Sequence, residues 1–291
     1  MKDGFLLIDK ESDYTSRDVC NIIAKIFDAK KVGHAGTLDP FATGLLIVAL
    51  NNATKALSYI EGQYKTYEAI LLLGTKTKTG DLTGEVIETK VVPELNEKQV
   101  KDVLQSLIGS HEQTVPITSA VHVNGRKLYQ YAHLNQEVEL PKRTIDIKSL
   151  ELLELNSPMI KFKAVVSKGT YIRTLGETIA EKLQTVGHLV SLRRTKILDI
   201  DVSKAKKIKD LKQDDLIGMA GIMVKFLPLK TLPNAEELKK ARHGGKLSLK
   251  LFNEQLDTFV VIDDKNSVVA IYKYSELGYY ECIRGINRED H

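Results

Sequence analysis

The sequence predicts an α+β protein. Residues 1–229 read as a mixed, mostly antiparallel sheet with flanking helices, and residues 230–291 as a small β-rich domain. Three observations carry that prediction. The chain has 291 residues, more than one module at about 150 residues per domain. Strand-like and helix-like segments follow one another irregularly, without the steady βα alternation of a parallel doubly wound sheet. After Pro228 the chain changes character: Pro233 and a Gly244-Gly245 pair break it into short strand-like runs.

Each element has a local reason. Residues 4–9, with apolar Phe5 to Ile8, read as a short buried strand. Thr15-Ser16-Arg17-Asp18 is a capping-box-like start, after which Val19, Ile22, Ile23, Ile26 and Phe27 fall on one helical face. Gly33, Gly36, Pro40 and Gly44 punctuate a loop. The apolar run 45–50 and a short helix near 53–60 come next. Residues 64–73, ended by Gly74, and 84–90 read as strands. Asn96 caps a helix carrying Val100, Val103, Leu104, Leu107 and Ile108, with Gly109 as its stop. Asn124-Gly125 is a hairpin-type turn. Residues 143–155 and 159–167 are two further strands. Ile172, Leu175, Ile179 and Leu183 line a helix that starts close to Tyr171, and 189–198 is a basic strand. Runs at 258–262, 267–274 and 279–283 supply the β-rich end.

Composition narrows the function classes. Hydrophobic residues at 43% and charged residues at 27% are ordinary globular values, which exclude a disordered chain or a disulfide scaffold. The longest strictly apolar run, 45–50, falls far short of the roughly 18 residues of a membrane helix. Residues 5–8 are closed by Asp9, too short an apolar core for a secretory signal. Cys20 and Cys282 lie at opposite ends of the chain without CxxC spacing. A soluble cytoplasmic protein is expected. There is no GxxxxGK[ST], HExxH or GxSxG motif, so neither a metal nor a nucleotide cofactor is expected. The net charge of +4 hides a basic stretch, because residues 161–210 carry twelve cations against five anions. Such a local excess is the electrostatic footprint of a polyanion partner, unless it is merely a solvated face.

The most unusual segment is Lys31-Val32-Gly33-His34-Ala35-Gly36-Thr37-Leu38-Asp39-Pro40-Phe41-Ala42-Thr43-Gly44. Its glycines and proline make an irregular backbone of fixed shape around one carboxylate, with apolar Leu38 and Phe41 beside it. That arrangement suits Asp39 as a nucleophile or electrostatic stabiliser at the base of a cleft.

The string 33–44 closely resembles the catalytic motif of the TruB-type tRNA pseudouridine synthases, enzymes that isomerise uridine 55 in the T-loop of tRNA. Three further segments resemble the same family in order. They are Tyr64-Lys65-Thr66-Tyr67-Glu68 with Thr77-Lys78-Thr79-Gly80-Asp81-Leu82-Thr83-Gly84, then Ser167-Lys168-Gly169-Thr170-Tyr171-Ile172-Arg173, and Leu192-Arg193-Arg194. The resemblance runs from about residue 4 to about residue 230.

It implies a set of roles. Asp39 is the catalytic carboxylate, Arg173 the arginine that pairs with it and keeps it ionised, and Tyr67 the tyrosine that stacks on the flipped base and is a candidate for proton removal at C5. For Tyr67 a core aromatic of a strand is the competing reading. Tyr171 and Leu192 match residues lining the uracil pocket. His34 matches a histidine that holds the flipped-out RNA, Lys10 survives from an N-terminal family segment, and Asp81 sits in a substrate-positioning turn. No cofactor, no membrane and no protein partner is implied. The partner is the T-arm of tRNA, the state a monomer, and residues 230–291 a PUA-like RNA-binding domain.

The chain departs from the family pattern in two places. Glu11-Ser12-Asp13-Tyr14 lacks the usual proline and glycine after Lys10. Ile117 and Thr118 stand where proline and tyrosine are common, and His122 where lysine is. Three other readings compete: a guide-RNA-dependent relative, a non-catalytic RNA-binding or tRNA-folding protein, and a glycoside hydrolase. The hydrolase needs a second acid or a metal, and no paired-carboxylate loop stands out.

Overall fold

The apolar run 45–50 lies in a strand, Thr43–Leu50, that is buried on both faces, and the architecture is arranged around it. The computed structural model describes residues 2–134 and 136–286. In chain order it contains β1 (Gly4–Lys10), α1 (Ser16–Ile26), β2 (Val32–His34), β3 (Thr43–Leu50), α2 (Leu57–Glu61), β4 (Lys65–Leu73), β5 (Thr75–Thr77), β6 (Val86–Thr89) and α3 (Glu97–Gln105). Then come β7 (Gly109–Thr114), β8 (His122–Val123), β9 (Arg126–Lys127), α4 (Leu128–His133), β10 (Lys142–Asn156), β11 (Met159–Val166), α5 (Ile172–Lys182), β12 (Gly187–Ile197) and β13 (Ile200–Asp201). The remainder is α6 (Met219–Met223), β14 (Leu229–Thr231), α7 (Ala235–Arg242), β15 (Leu247–Ser248), β16 (Thr258–Ile262), β17 (Val268–Ser275) and β18 (Tyr279–Gly285).

One nine-stranded sheet runs β1-β3-β12-β4-β11-β10-β7, with β2 on β3 and β13 on β12. Its neighbours are antiparallel except β3 and β12, which run parallel and meet at Thr43↔Arg193 and Gly44↔Arg194. Gly44 has φ +104°, and a Cβ there would collide with the backbone of Arg194, so only glycine allows this close approach.

Alternation of side chains sorts the core. Leu6, Ile8, Leu46, Val48 and Leu50 face a core covered by α1, α3 and α5. Phe5, Leu7, Leu45, Ile47 and Ala49 face a second core, covered by Ala53, Ala56 and Ile60, by α6, and by Val260, Val268 and Ile271 from the C-terminal sheet. A strand covered on both faces has no polar alternation to show, hence the continuous run. Leu46→Ala, at a side chain with no exposure, is expected to cost about 2–5 kcal/mol, measured by urea unfolding.

The C-terminal five strands run β14-β16-β17-β18-β15, and a third core of Leu247, Phe259, Tyr272 and Tyr280 lies on their other face. The mixed, mostly antiparallel α+β architecture is as the sequence predicts. Several short elements are not visible in the sequence pattern, among them β2 within the expected loop, and three others are instructive. Gly109 does not merely stop a helix: at φ +109° it opens β7, an edge strand of polar residues without a strand-like apolar pattern. α4 follows the Asn124-Gly125 hairpin directly. α7 carries only Leu238 and Ala241 as apolar anchors among charged residues, so it shows no helical periodicity; Asn234 caps it by accepting from the Glu237 N–H.

Candidate active site

The loop around Asp39 is fastened from four sides. Lys10, wholly buried at the end of β1, donates to the carbonyls of Pro40 (3.0 Å), Tyr14 (2.6 Å) and Glu11 (3.0 Å). The Asp13 N–H also reaches the Pro40 carbonyl at 2.9 Å. Ser16, in the first turn of α1, accepts from the Leu38 N–H at 2.9 Å and donates to its carbonyl at 3.2 Å. Arg194, buried in β12, donates to the carbonyls of Gly36 (3.0 Å) and Leu45 (2.7 Å). These bonds, charge-assisted where Lys10 and Arg194 donate, hold the Asp39 loop before any ligand arrives.

Arg173, in the first turn of α5 and 4% exposed, organises the site. Its Nε lies 3.0 Å from Asp39 Oδ2, and Nη2 donates to Oδ1 at 3.4 Å. Nη1 donates to the Thr79 carbonyl and to Thr118 Oγ1, each at 2.7 Å, and stands 3.5 Å from Asp81 Oδ2. Asp81 is itself fixed. Its Oδ1 accepts from Thr79 Oγ1 (2.8 Å), Thr83 N (2.9 Å) and Thr83 Oγ1 (2.6 Å), an Asx-type turn that leaves Oδ2 for the arginine. The start of α5 is anchored by Gln113 of β7, which accepts from the Tyr171 N–H at 2.8 Å and donates to the Tyr171 carbonyl at 3.0 Å.

Asp39, Asp81 and Arg173 line a cleft of about 500 Å³ with Phe41, Thr118, Tyr129 and His133. Burial pushes the Asp39 carboxyl above its usual range; Arg173 pulls it down, Asp81 pushes it up and Lys10 pulls it down. The sequence expects Arg173 to set that balance, but desolvation of the loop outweighs the ion pair. Burial also brings the Lys10 ammonium down to about 8, against the pull of Asp39.

The other expected residues lie around this centre rather than in the cleft wall. Tyr67, 7% exposed on β4, and Leu192, 6% exposed on β12, belong to the apolar cluster that contains Leu38 and Ala42. Tyr171 caps α5 through its backbone. His34 sits on β2 opposite Val48, its ring kept toward the neutral form by burial and by Arg194. Lys10 has its three donors on carbonyls, as a strut of the loop. The sequence did not single out Ser16, Thr79, Gln113 or Thr118; all act through the backbone or through Arg173, and only the position of Thr118 in a divergent stretch marked it.

Much of the basic stretch 161–210 is paired within the chain, although every paired cation except Arg173 keeps more than a third of its side chain exposed. Among the described residues, seven of its twelve cations form ion pairs, six of them with carboxylates outside the stretch: Lys161 with Glu68, Lys163 with Glu151, Lys168 with Glu61, Arg173 with Asp39, Arg193 with Asp9 and Lys207 with Glu11. Lys196 pairs with Asp201, and Arg194 is buried. A local charge count cannot see partners that tertiary structure delivers. Among the described residues no cluster of His, Cys, Asp or Glu is placed to hold a metal ion, and no helix is long and apolar enough to cross a membrane.

The chain is similar to several known proteins. The tRNA pseudouridine synthase B of Caldicellulosiruptor saccharolyticus is 40% identical over 252 residues, covering 86% of this chain and 85% of that protein. The protein of the same name from Hydrogenovibrio crunogenus is 37% identical over 263 residues, covering 89% and 84%. In fold, the chain resembles one in the structure of an H/ACA RNP bound to a substrate RNA containing 2'-deoxyuridine, with TM-score 0.74 and 21% identity over 99% of this chain and 86% of that one. The profile of the TruB family pseudouridylate synthase N-terminal domain matches residues 24–172, which include the Asp39 loop, Asp81 and Thr118. The match covers about half of the chain and stops one residue short of Arg173; with relatives 40% and 37% identical over most of their length, the chain belongs to the TruB family of pseudouridylate synthases.

Proposed function

We propose that the chain converts uridine 55 in the T-loop of tRNA to pseudouridine, acting alone as a monomer, without guide RNA, metal or nucleotide cofactor. The observation that carries this reading is Asp39, ion-paired to a buried arginine in a cleft, in a chain of this family. The names of its relatives support tRNA as the substrate.

Breaking the N1–C1′ bond builds positive charge on the ribose, which an ionised carboxylate close to C1′ stabilises, either by attack or after elimination. Asp39 is suited to this: its side chain is 32% exposed toward the cleft, while Arg173 behind it favours the charged form. The detached uracil then turns and rejoins through C5, so the site must exclude water while it does. Tyr67 and Leu192, in the apolar cluster with Leu38 and Ala42, are read as the wall against which the base turns, with Tyr67 as the group for the C5 proton. Asp81 acts through Arg173, Lys10 through the loop carbonyls, and His34 and Tyr171 as contacts to the RNA.

A T-loop base is reached only by flipping it out, at a cost of a few kcal/mol. Phe41 and Tyr129 in the cleft offer apolar and aromatic surface to offset that cost. Lys182, Lys204, Lys206 and Lys209, which have no ion pair among the described residues, remain for phosphates. The C-terminal sheet is read as a PUA-like RNA-binding extension, and Lys246 over the Tyr279 ring (4.0 Å to its centre) gives it one cationic, aromatic spot.

The test is tritium release from C5-labelled uridine in an unmodified T-arm hairpin, with no added metal or guide RNA. Stoichiometric release is expected. A protein that binds the hairpin and releases nothing would be a binder or a guide-dependent subunit, and the proposal would fail.

A further inference from the structure

Arg173 has five N–H donors; Nη2 gives one to Asp39 Oδ1, while Nε lies 3.0 Å from Oδ2 as an ion-pair contact without a hydrogen bond. Thr118 takes two. Its Oγ1 accepts from Nη1 at 2.7 Å, and its carbonyl accepts from Nη2 at 3.3 Å. Thr118 therefore meets both terminal nitrogens of the guanidinium, on the side away from Nε. The remaining partners of Nη1 are the Thr79 carbonyl at 2.7 Å and Asp81 Oδ2 at 3.5 Å, both from the turn after β5.

Thr118 itself is held by backbone. Val115 donates to the Pro141 carbonyl (2.9 Å), Leu128 to the Val121 carbonyl (2.8 Å) and Tyr129 to the Ser119 carbonyl (3.0 Å), so residues 115–121 are pinned at both ends. The same stretch begins just after Gln113, which clamps the backbone of Tyr171. One segment of chain thus grips the start of α5 twice, at the Tyr171 backbone and at the Arg173 side chain.

We infer that Thr118 is a positioning residue for this reaction: it fixes the rotation of the Arg173 guanidinium so that Nε and Nη2 both face Asp39. Without its hydroxyl, Nη1 keeps only partners on the Thr79–Asp81 side, and the guanidinium turns toward Asp81. Asp39 then loses part of its counter-charge. The inference rests on the reading of Asp39 as the catalytic carboxylate. The charged groups facing Asp39 are Arg173 from α5, Asp81 from the turn after β5 and Lys10 from β1; of these, the substitution moves only Arg173.

The experiment compares wild type, Thr118→Val and Thr118→Ser by steady-state tritium release from the T-arm hairpin across the acid limb of the pH profile. Valine keeps the volume and removes the acceptor; serine restores the acceptor. Thr118→Val is expected to lower kcat about tenfold, the effect of losing one hydrogen bond to a charged group. KM is expected to stay within about twofold, because no uniform binding contact is removed. The midpoint of the acid limb is expected to rise, and Thr118→Ser to restore both kcat and midpoint. Unchanged kcat in the valine variant would overturn the inference. So would a loss confined to KM, or a kcat loss with an unmoved acid limb that serine does not restore; Thr118 would then be only a wall of the cleft. A wild type whose release does not depend on Asp39 would overturn both this inference and the reading beneath it, whereas an Asp39-dependent wild type with an indifferent valine variant overturns this inference alone.

Discussion

Asp39→Asn is expected to abolish tritium release, a loss of about 10⁴-fold or more, while melting no lower than wild type at neutral pH. The two halves of that expectation share a cause. Asparagine keeps the shape of the loop and its backbone bonds to Lys10, Ser16 and Arg194, but cannot carry the charge that the ribose requires. Burial raises the carboxyl above its ordinary value, so the folded state binds its proton more tightly than the unfolded state does. Between the unfolded and folded values stability therefore falls as pH rises, and above the folded value the charged Asp39 costs the fold something that asparagine removes. The difference in melting temperature should shrink as pH falls through the folded value. In the wild type, kcat should fall in the same acid range, as Asp39 takes up its proton. Release by the asparagine variant near the wild-type rate would remove Asp39 from the chemistry; a large drop in melting temperature would mean that the carboxylate is structural.

Arg173→Met is expected to remove activity as fully and, unlike the first substitution, to destabilise the fold by about 3–5 kcal/mol, because it leaves two carboxylates facing each other without their cation. Part of that loss should return in the double variant Arg173→Met with Asp39→Asn, which removes one of the stranded charges. Urea unfolding of the four proteins forms a double-mutant cycle, and additive losses would mean that Arg173 and Asp39 do not interact. Arg173→Lys keeps a charge but not the fork. It is expected to preserve more stability than methionine and still lose activity, since one ammonium cannot meet Asp39, Thr79, Thr118 and Asp81 together.

Much of the fold was legible because its signals are local. The capping box at Thr15 and Asp18, the Asn96 cap, the Asn124-Gly125 turn and the alternation in residues 64–73 each report on a few neighbouring residues. α7 and β7 were not legible, because their stability comes from packing and pairing rather than pattern. The site divides the same way. Asp39 and Arg173 were found because each sits inside a dense string of unusual residues. Thr79, Gln113 and Ser16 are common residue types whose function is to meet a particular group of another segment, and even where a neighbouring string is marked, as at Thr79 and Ser16, residue type alone does not announce that contact.

The amino-acid sequence by itself determined the mixed α+β class, the order of most elements and the loop that presents a single carboxylate, since these follow from periodicity, capping and backbone preference within short windows. Tertiary structure alone decided where the charge goes. It paired the basic stretch 161–210 with carboxylates from distant segments, set burial above the Arg173 ion pair in governing Asp39, and placed Tyr67 and Leu192 in the apolar cluster beside the cleft. Electrostatics and desolvation depend on distances through space, and these exist only once the chain has folded.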